Sequence, residues 1–99
     1  YLTLNRRFHF SIYRAARSPA LMQVIERLWM RAGPWLNVMR EEDTIRFGFD
    51  HHRAILAALR AGDGEGARRA VVLYISDASE VILRRLADRA QAEGRGRSA

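Results

Sequence analysis

The sequence predicts an all-α fold, an antiparallel helical bundle, on three observations. Apolar residues recur every three to four positions through most of the chain, the spacing that puts them on one side of a helix. Nothing alternates with period two over a useful length, and the short stretch from Arg46 to Phe49 that could do so also fits the helical pattern. Start and stop signals then cut the periodic stretches into segments short enough to pack side by side. With 48% hydrophobic residues in a chain of 99, one modest core can be buried.

Each element follows in order. Leu2, Asn5, His9, Ile12, Tyr13 and Ala16 lie at helical spacing, so the first helix carries apolar groups and a histidine on one face. Ser18 and Pro19 open the next helix, the serine able to accept from a free amide and the proline needing no donor at the first position. Its buried stripe is Leu21, Met22, Ile25, Leu28 and Trp29, and Gly33 with Pro34 is expected to end it. Trp35, Leu36, Val38 and Met39 suggest a short helix or turn. Glu41, Glu42 and Asp43 fit the acidic first turn of a longer helix, where the helix dipole favours negative charge. On that helix Ile45, Phe49, His52, Leu56 and Leu59 share a face, which points His52 inward and His51 away. Gly62 and Asp63 stop one helix and start another. The last helix buries Ala67, Ala70, Val71, Tyr74, Ala78, Val81 and Leu86. Four long helices and a short one make one domain over residues 1–91, and residues 92–99, with their Gly-Arg-Gly-Arg run, read as a flexible tail.

Composition narrows the function. The absence of cysteine removes disulfides, thiolate metal sites and thiol nucleophiles together. No apolar run is long enough for a membrane span and no secretory leader is visible, so a cytoplasmic protein is expected. The net charge is +6 and all 17 basic residues are arginine, but they are spread over every segment and no groove-reading motif accompanies them. A helical nucleic-acid-binding or scaffold module using those arginines is the alternative that the charge keeps open.

Asn5, His9, His52 and Tyr74 are polar groups on faces that otherwise read as core. One such histidine is ordinarily a hydrogen-bonded core residue. Two on separate helices suggest more, because bundle interiors are where ligand sites are assembled from facing side chains. A His-based metalloenzyme is conceivable from the same residues, but no Gly-rich phosphate loop or nucleophile motif supports catalysis, and the chain is read as not an enzyme.

Asn5-Arg6-Arg7-Phe8-His9, Ser18-Pro19-Ala20-Leu21-Met22, His52-Arg53-Ala54-Ile55-Leu56 and Ala61-Gly62-Asp63, in that order, closely resemble the FCD effector domain of the FadR subgroup of GntR-type bacterial transcription regulators. The resemblance extends to about residue 88. It implies a helical bundle in which an acidic or amide residue, a histidine four positions later, a second histidine and a third in the last helix surround a small organic acid, often with a divalent metal. Carried over, these positions fall on Asn5, His9, His52 and Tyr74, the last 22 residues beyond His52.

The sequence departs from the metal-binding pattern at two of these places. Asn5 offers a neutral carbonyl where a carboxylate would offset cation charge, and Tyr74, with an ordinary pKa of about 10, is a weak ligand. Two readings follow. Either Asn5, His9, His52 and Tyr74 hydrogen-bond the acid directly, or His9 and His52 hold a transition metal such as Zn or Ni, which suits imidazole. The resemblance further implies a homodimer, and DNA contact through a winged helix-turn-helix domain at the N-terminal side. Neither that domain nor the family's first effector-domain helices are among these 99 residues, so the bundle is expected to be truncated there.

Overall fold

The computed structural model describes residues 2–98, with their side chains except those of Leu2, Phe47, Arg97 and Ser98. Tyr1 and the Leu2 side chain at one end of the expected domain, and Ala99 with the last two side chains of the expected tail, therefore lie outside what is described. The fold is all-α, as the periodicity requires. Its helices are α1 (Leu2–Ala15), α2 (Pro19–Leu36), α3 (Glu41–Arg60) and α4 (Gly64–Ser98), with no strand among the described residues. None of these helices is long and apolar enough to cross a membrane. The chain divides into two compact units, Tyr1–Asn37 and Val38–Ala99.

In the first unit, α1 buries Asn5, His9 and Phe10, with Phe8, Ile12 and Tyr13 half-buried. Ala16, expected on the same face, is exposed and lies past the end of the helix. Ser18 caps α2 as its sequence suggests, accepting from the Leu21 N–H at 3.3 Å with Pro19 at the first turn. The α2 stripe is narrower than expected: Met22, Ile25, Trp29 and Leu36 are half-buried, while Leu21 and Leu28 are exposed. The Phe10 ring meets Trp29 edge-on at 5.2 Å, a favoured aromatic geometry.

Gly33 and Pro34 do not end α2, which runs on to Leu36. Pro34 has no N–H to give the Met30 carbonyl and its ring crowds that carbonyl, and the helix closes two residues beyond it. The expected short helix is accordingly absent: Trp35 and Leu36 finish α2, and residues 37–39 form a turn and bend.

In the second unit α3 and α4 form an antiparallel pair. Glu41, Glu42 and Asp43 make the first turn of α3, and the Asp43 carboxylate accepts the Arg40 N–H at 3.1 Å. The turn to α4 satisfies the last carbonyls of α3 in sequence. Gly62 N–H donates to the Leu59 carbonyl and Asp63 N–H to the Ala58 carbonyl at 2.9 Å, with Gly62 at φ 68°. This is the Schellman arrangement, and it requires a left-handed residue. Asp63 then caps α4 by accepting the Gly66 N–H at 2.8 Å.

Three polar rungs fix the α3–α4 register: Arg40 with Asp88, Asp43 with Arg85, and His51 with Asp77. In each the residue numbers total 128, so the rungs report one common alignment. One turn beyond His51, Ile55 is fully buried, with Ala78 and Val81 nearly so, and the other expected α4 core positions are half-buried.

The α3 face differs from the expected one. His52 and Leu56 are half-buried on the expected side, but Ile45, Phe49 and Leu59 are exposed, and Gly48, His51 and Ile55 turn toward the interior. The rungs through Asp43 and His51 rotate the buried stripe by about one residue, roughly 100° around the axis. Past Asp88, α4 continues through the segment read as a tail, and its described side chains there are exposed.

Candidate functional site

Two of the four predicted site residues meet in the second unit. His52 on α3 and Tyr74 on α4 are both half-buried, their ring centroids 5.7 Å apart. His51 approaches the same Tyr74 ring at 5.6 Å, nearly edge-on, so one phenol lies against two adjacent imidazoles. Burial pushes the His52 pKa below its ordinary value, and the neighbouring His51 charge pushes in the same direction. A neutral imidazole presents one donor and one acceptor, which suits recognition of a polar or acidic ligand.

His51, expected to face away, instead lies toward α4 with its side chain 15% exposed and its Nε2 3.2 Å from Asp77 Oδ2. Neither His51 nor Asp77 was among the predicted residues. A signal for Asp77 was present: it lies three residues after Tyr74 and four before Val81, a carboxylate set into the inward stripe. The same spacing marks Arg85, four after Val81.

A recess of about 650 Å³ between α3 and α4 runs past this pair, lined also by Asp50, Glu80, Arg46 and Arg84. At its edge Arg85 grips Asp43 bidentately, Nε donating to Oδ2 at 3.0 Å and Nη2 to Oδ1 at 2.8 Å. The Arg85 hydrogen bond holds the Asp43 pKa below the ordinary carboxylate value against the opposing effect of burial.

The other two predicted residues lie in the first unit. Asn5 and His9 are one turn apart on α1 and are 4% and 1% exposed. The His9 ring sits among aromatics, 5.2 Å from Phe8, 6.1 Å from Tyr13 and 6.0 Å from Trp29. No buried side-chain nitrogen or oxygen among the described residues lacks a hydrogen-bond partner. The four positions thus form two pairs, Asn5 with His9 and His52 with Tyr74, one pair in each unit.

The donor chemistry does not fit a metal ion. Among the described residues no three of His, Asp and Glu are gathered so as to hold one, and each predicted pair offers one imidazole beside an amide or a phenol. Zn and Ni therefore enter no step below.

A protein-family model described as the FCD domain matches residues 1–77. Among curated proteins, the HTH-type transcriptional regulator McbR of Escherichia coli (strain K12) is 37% identical over 70 residues, covering 68% of this chain and 32% of that protein. The chain therefore spans about a third of that relative's length. No solved structure matches it.

Proposed function

The chain belongs to the FCD domain family, and from that premise we propose that it is the ligand-sensing part of a GntR-type bacterial transcription regulator of the FadR subgroup. The match over residues 1–77 carries this reading, and the similarity to an HTH-type transcriptional regulator supports it. The sensed molecule is a small organic acid, contacted directly and without a metal; His52 with Tyr74 is the candidate pair for it in the second unit, and Asn5 with His9 is a separate candidate pair in the first. The regulator works in the cytoplasm as a homodimer, and a separate winged helix-turn-helix domain contacts the operator.

The acid acts by preferring one arrangement of the helices over another, since only differential affinity can shift such an equilibrium. The His52 environment supports an acid in particular. An anion beside an imidazole whose charged form is disfavoured by burial recovers that charge by drawing a proton onto the ring.

The test is a thermal-shift screen of this chain against short mono- and dicarboxylates, followed by calorimetry on any that stabilise it. His52→Ala is expected to weaken binding about tenfold, the effect of losing one hydrogen bond to a charged ligand. If no acid shifts the melting curve while the chain alone binds duplex DNA with steep salt dependence, the sensing reading fails and the arginine-based alternative replaces it.

A further inference from the structure

Helix α4 is apolar on two opposite sides. One side, through Tyr74, Ala78 and Val81, packs on α3. On the other, Val72 is 50% and Leu83 66% exposed, with Ser76, Ser79 and Ala90 exposed beside them and Leu86 half-buried. We infer that this outer face of α4 is a self-pairing surface, on which two copies of the chain lay their α4 helices antiparallel across a twofold axis, Ser79 of one opposite Leu83 of the other.

The spacing is that of a coiled-coil seam. Ser76, Leu83 and Ala90 recur every seven residues, as do Val72, Ser79 and Leu86, and the two sets are offset by alternating steps of four and three. In an antiparallel pair each member of one set faces a member of the other. Aligned at Ser79 against Leu83, the seam also sets Val72 against Ala90 and Ser76 against Leu86, so every rung matches a large side chain with a small one. Arg69 then falls opposite Glu93 at both ends.

A slip of four residues in the summed numbering destroys this. It brings Glu65 against Glu93 and Arg69 against Arg89, like charges in both cases, and stacks Val72 on Leu86 while Ser79 faces its own copy. The Ser79 hydroxyl donates to the Ile75 carbonyl at 2.8 Å, so that side chain enters the seam with its donor already satisfied.

The occupant is a second copy because the pattern is complementary to itself read in reverse. A twofold contact demands that property and a different partner does not. From Arg69 to Glu93 the seam is about 36 Å long. The inference shares with the proposed function only that the chain pairs, and it does not depend on the ligand.

The native chain contains no cysteine, which makes cross-linking unambiguous. Val72 and Ala90 lie about 27 Å apart along one helix, too far to bridge within a chain. The double variant Val72→Cys/Ala90→Cys is expected to form a covalent dimer on mild oxidation, and either single variant is not. Leu83→Arg is expected to raise the dimer dissociation constant roughly a hundredfold with unchanged helicity, because Leu83 is exposed within the chain. A wild-type chain that sediments as a monomer overturns the inference. So does a dimer that survives Leu83→Arg and gives no cross-link, although pairing through another surface then stands. Thermal shifts with carboxylates, repeated on Leu83→Arg, report the ligand reading separately.

Discussion

Arg17 and Gly62 both occupy the left-handed backbone region, at φ 53° and 68°. A side chain there costs about 1 kcal/mol that glycine avoids. Arg17 is exposed, so Arg17→Gly is expected to stabilise the chain by up to about 1 kcal/mol, and Gly62→Ala to destabilise it by a similar amount. Urea denaturation of the two variants checks both signs. Ile55 is the fully buried aliphatic residue at the centre of the α3–α4 pair. Ile55→Ala should cost about 2–5 kcal/mol by the same measurement, because a cavity adds to the lost burial.

Two titrations also belong at this scale. Asp43 has its pKa lowered chiefly by the Arg85 hydrogen bond. The stability it contributes is present above the unfolded value, about 3.9, and is lost as pH falls through the lower folded value. Asp43→Asn is expected to be less stable at neutral pH and to show a shallower loss of stability in that acid range, read as melting temperature against pH. His52, lowered by burial, contributes stability fully present above about 6.5 and lost as pH falls below it. His52→Gln should flatten that part of the profile.

At the level of elements, the helix ends are governed by local chemistry. The Ser18 cap, the acidic first turn of α3 and the Gly62–Asp63 turn are all legible in the sequence, because each is a bargain among residues three or four apart. Gly66 adds a case that spacing alone does not reveal. A β-carbon there would collide with the Asp63 carboxylate that caps α4, so Gly66→Ala is expected to fray the first turn and cost about 1 kcal/mol, measured by denaturation and by exchange of the first α4 amides. The end of α2 lies two residues past the Gly33–Pro34 signal, because a proline costs the helix one hydrogen bond without forbidding a further half-turn. The α3 face was misread because Ile45 and Phe49 look like core by composition, and only the rungs to α4 decide which way the helix is turned.

For the whole molecule, the net charge of +6 is distributed rather than focused, which is consistent with a domain whose partners are small acids and other protein surfaces. Acid binding at His52 is expected to take up a fraction of a proton, so affinity should fall as pH is raised through and above the histidine range. Calorimetry of the binding carboxylate in buffers of different ionisation enthalpy would detect the proton directly. An unchanged heat across buffers would separate the ligand from the His52 ring.

The sequence by itself determined that the chain is all-helical, where most helices begin and end, and that Asn5 and His9 stand on the inward face of α1, because these depend on periodicity and on contacts within a turn. Tertiary structure alone decided the phase of α3, the rungs joining Asp43 to Arg85 and His51 to Asp77, and the meeting of His52 with Tyr74. Those outcomes rest on which residues distant in sequence oppose one another, and helical periodicity carries no information about register. His51, whose Nε2 meets the Asp77 carboxylate on α4, is consequently an imidazole that spacing alone turns toward solvent.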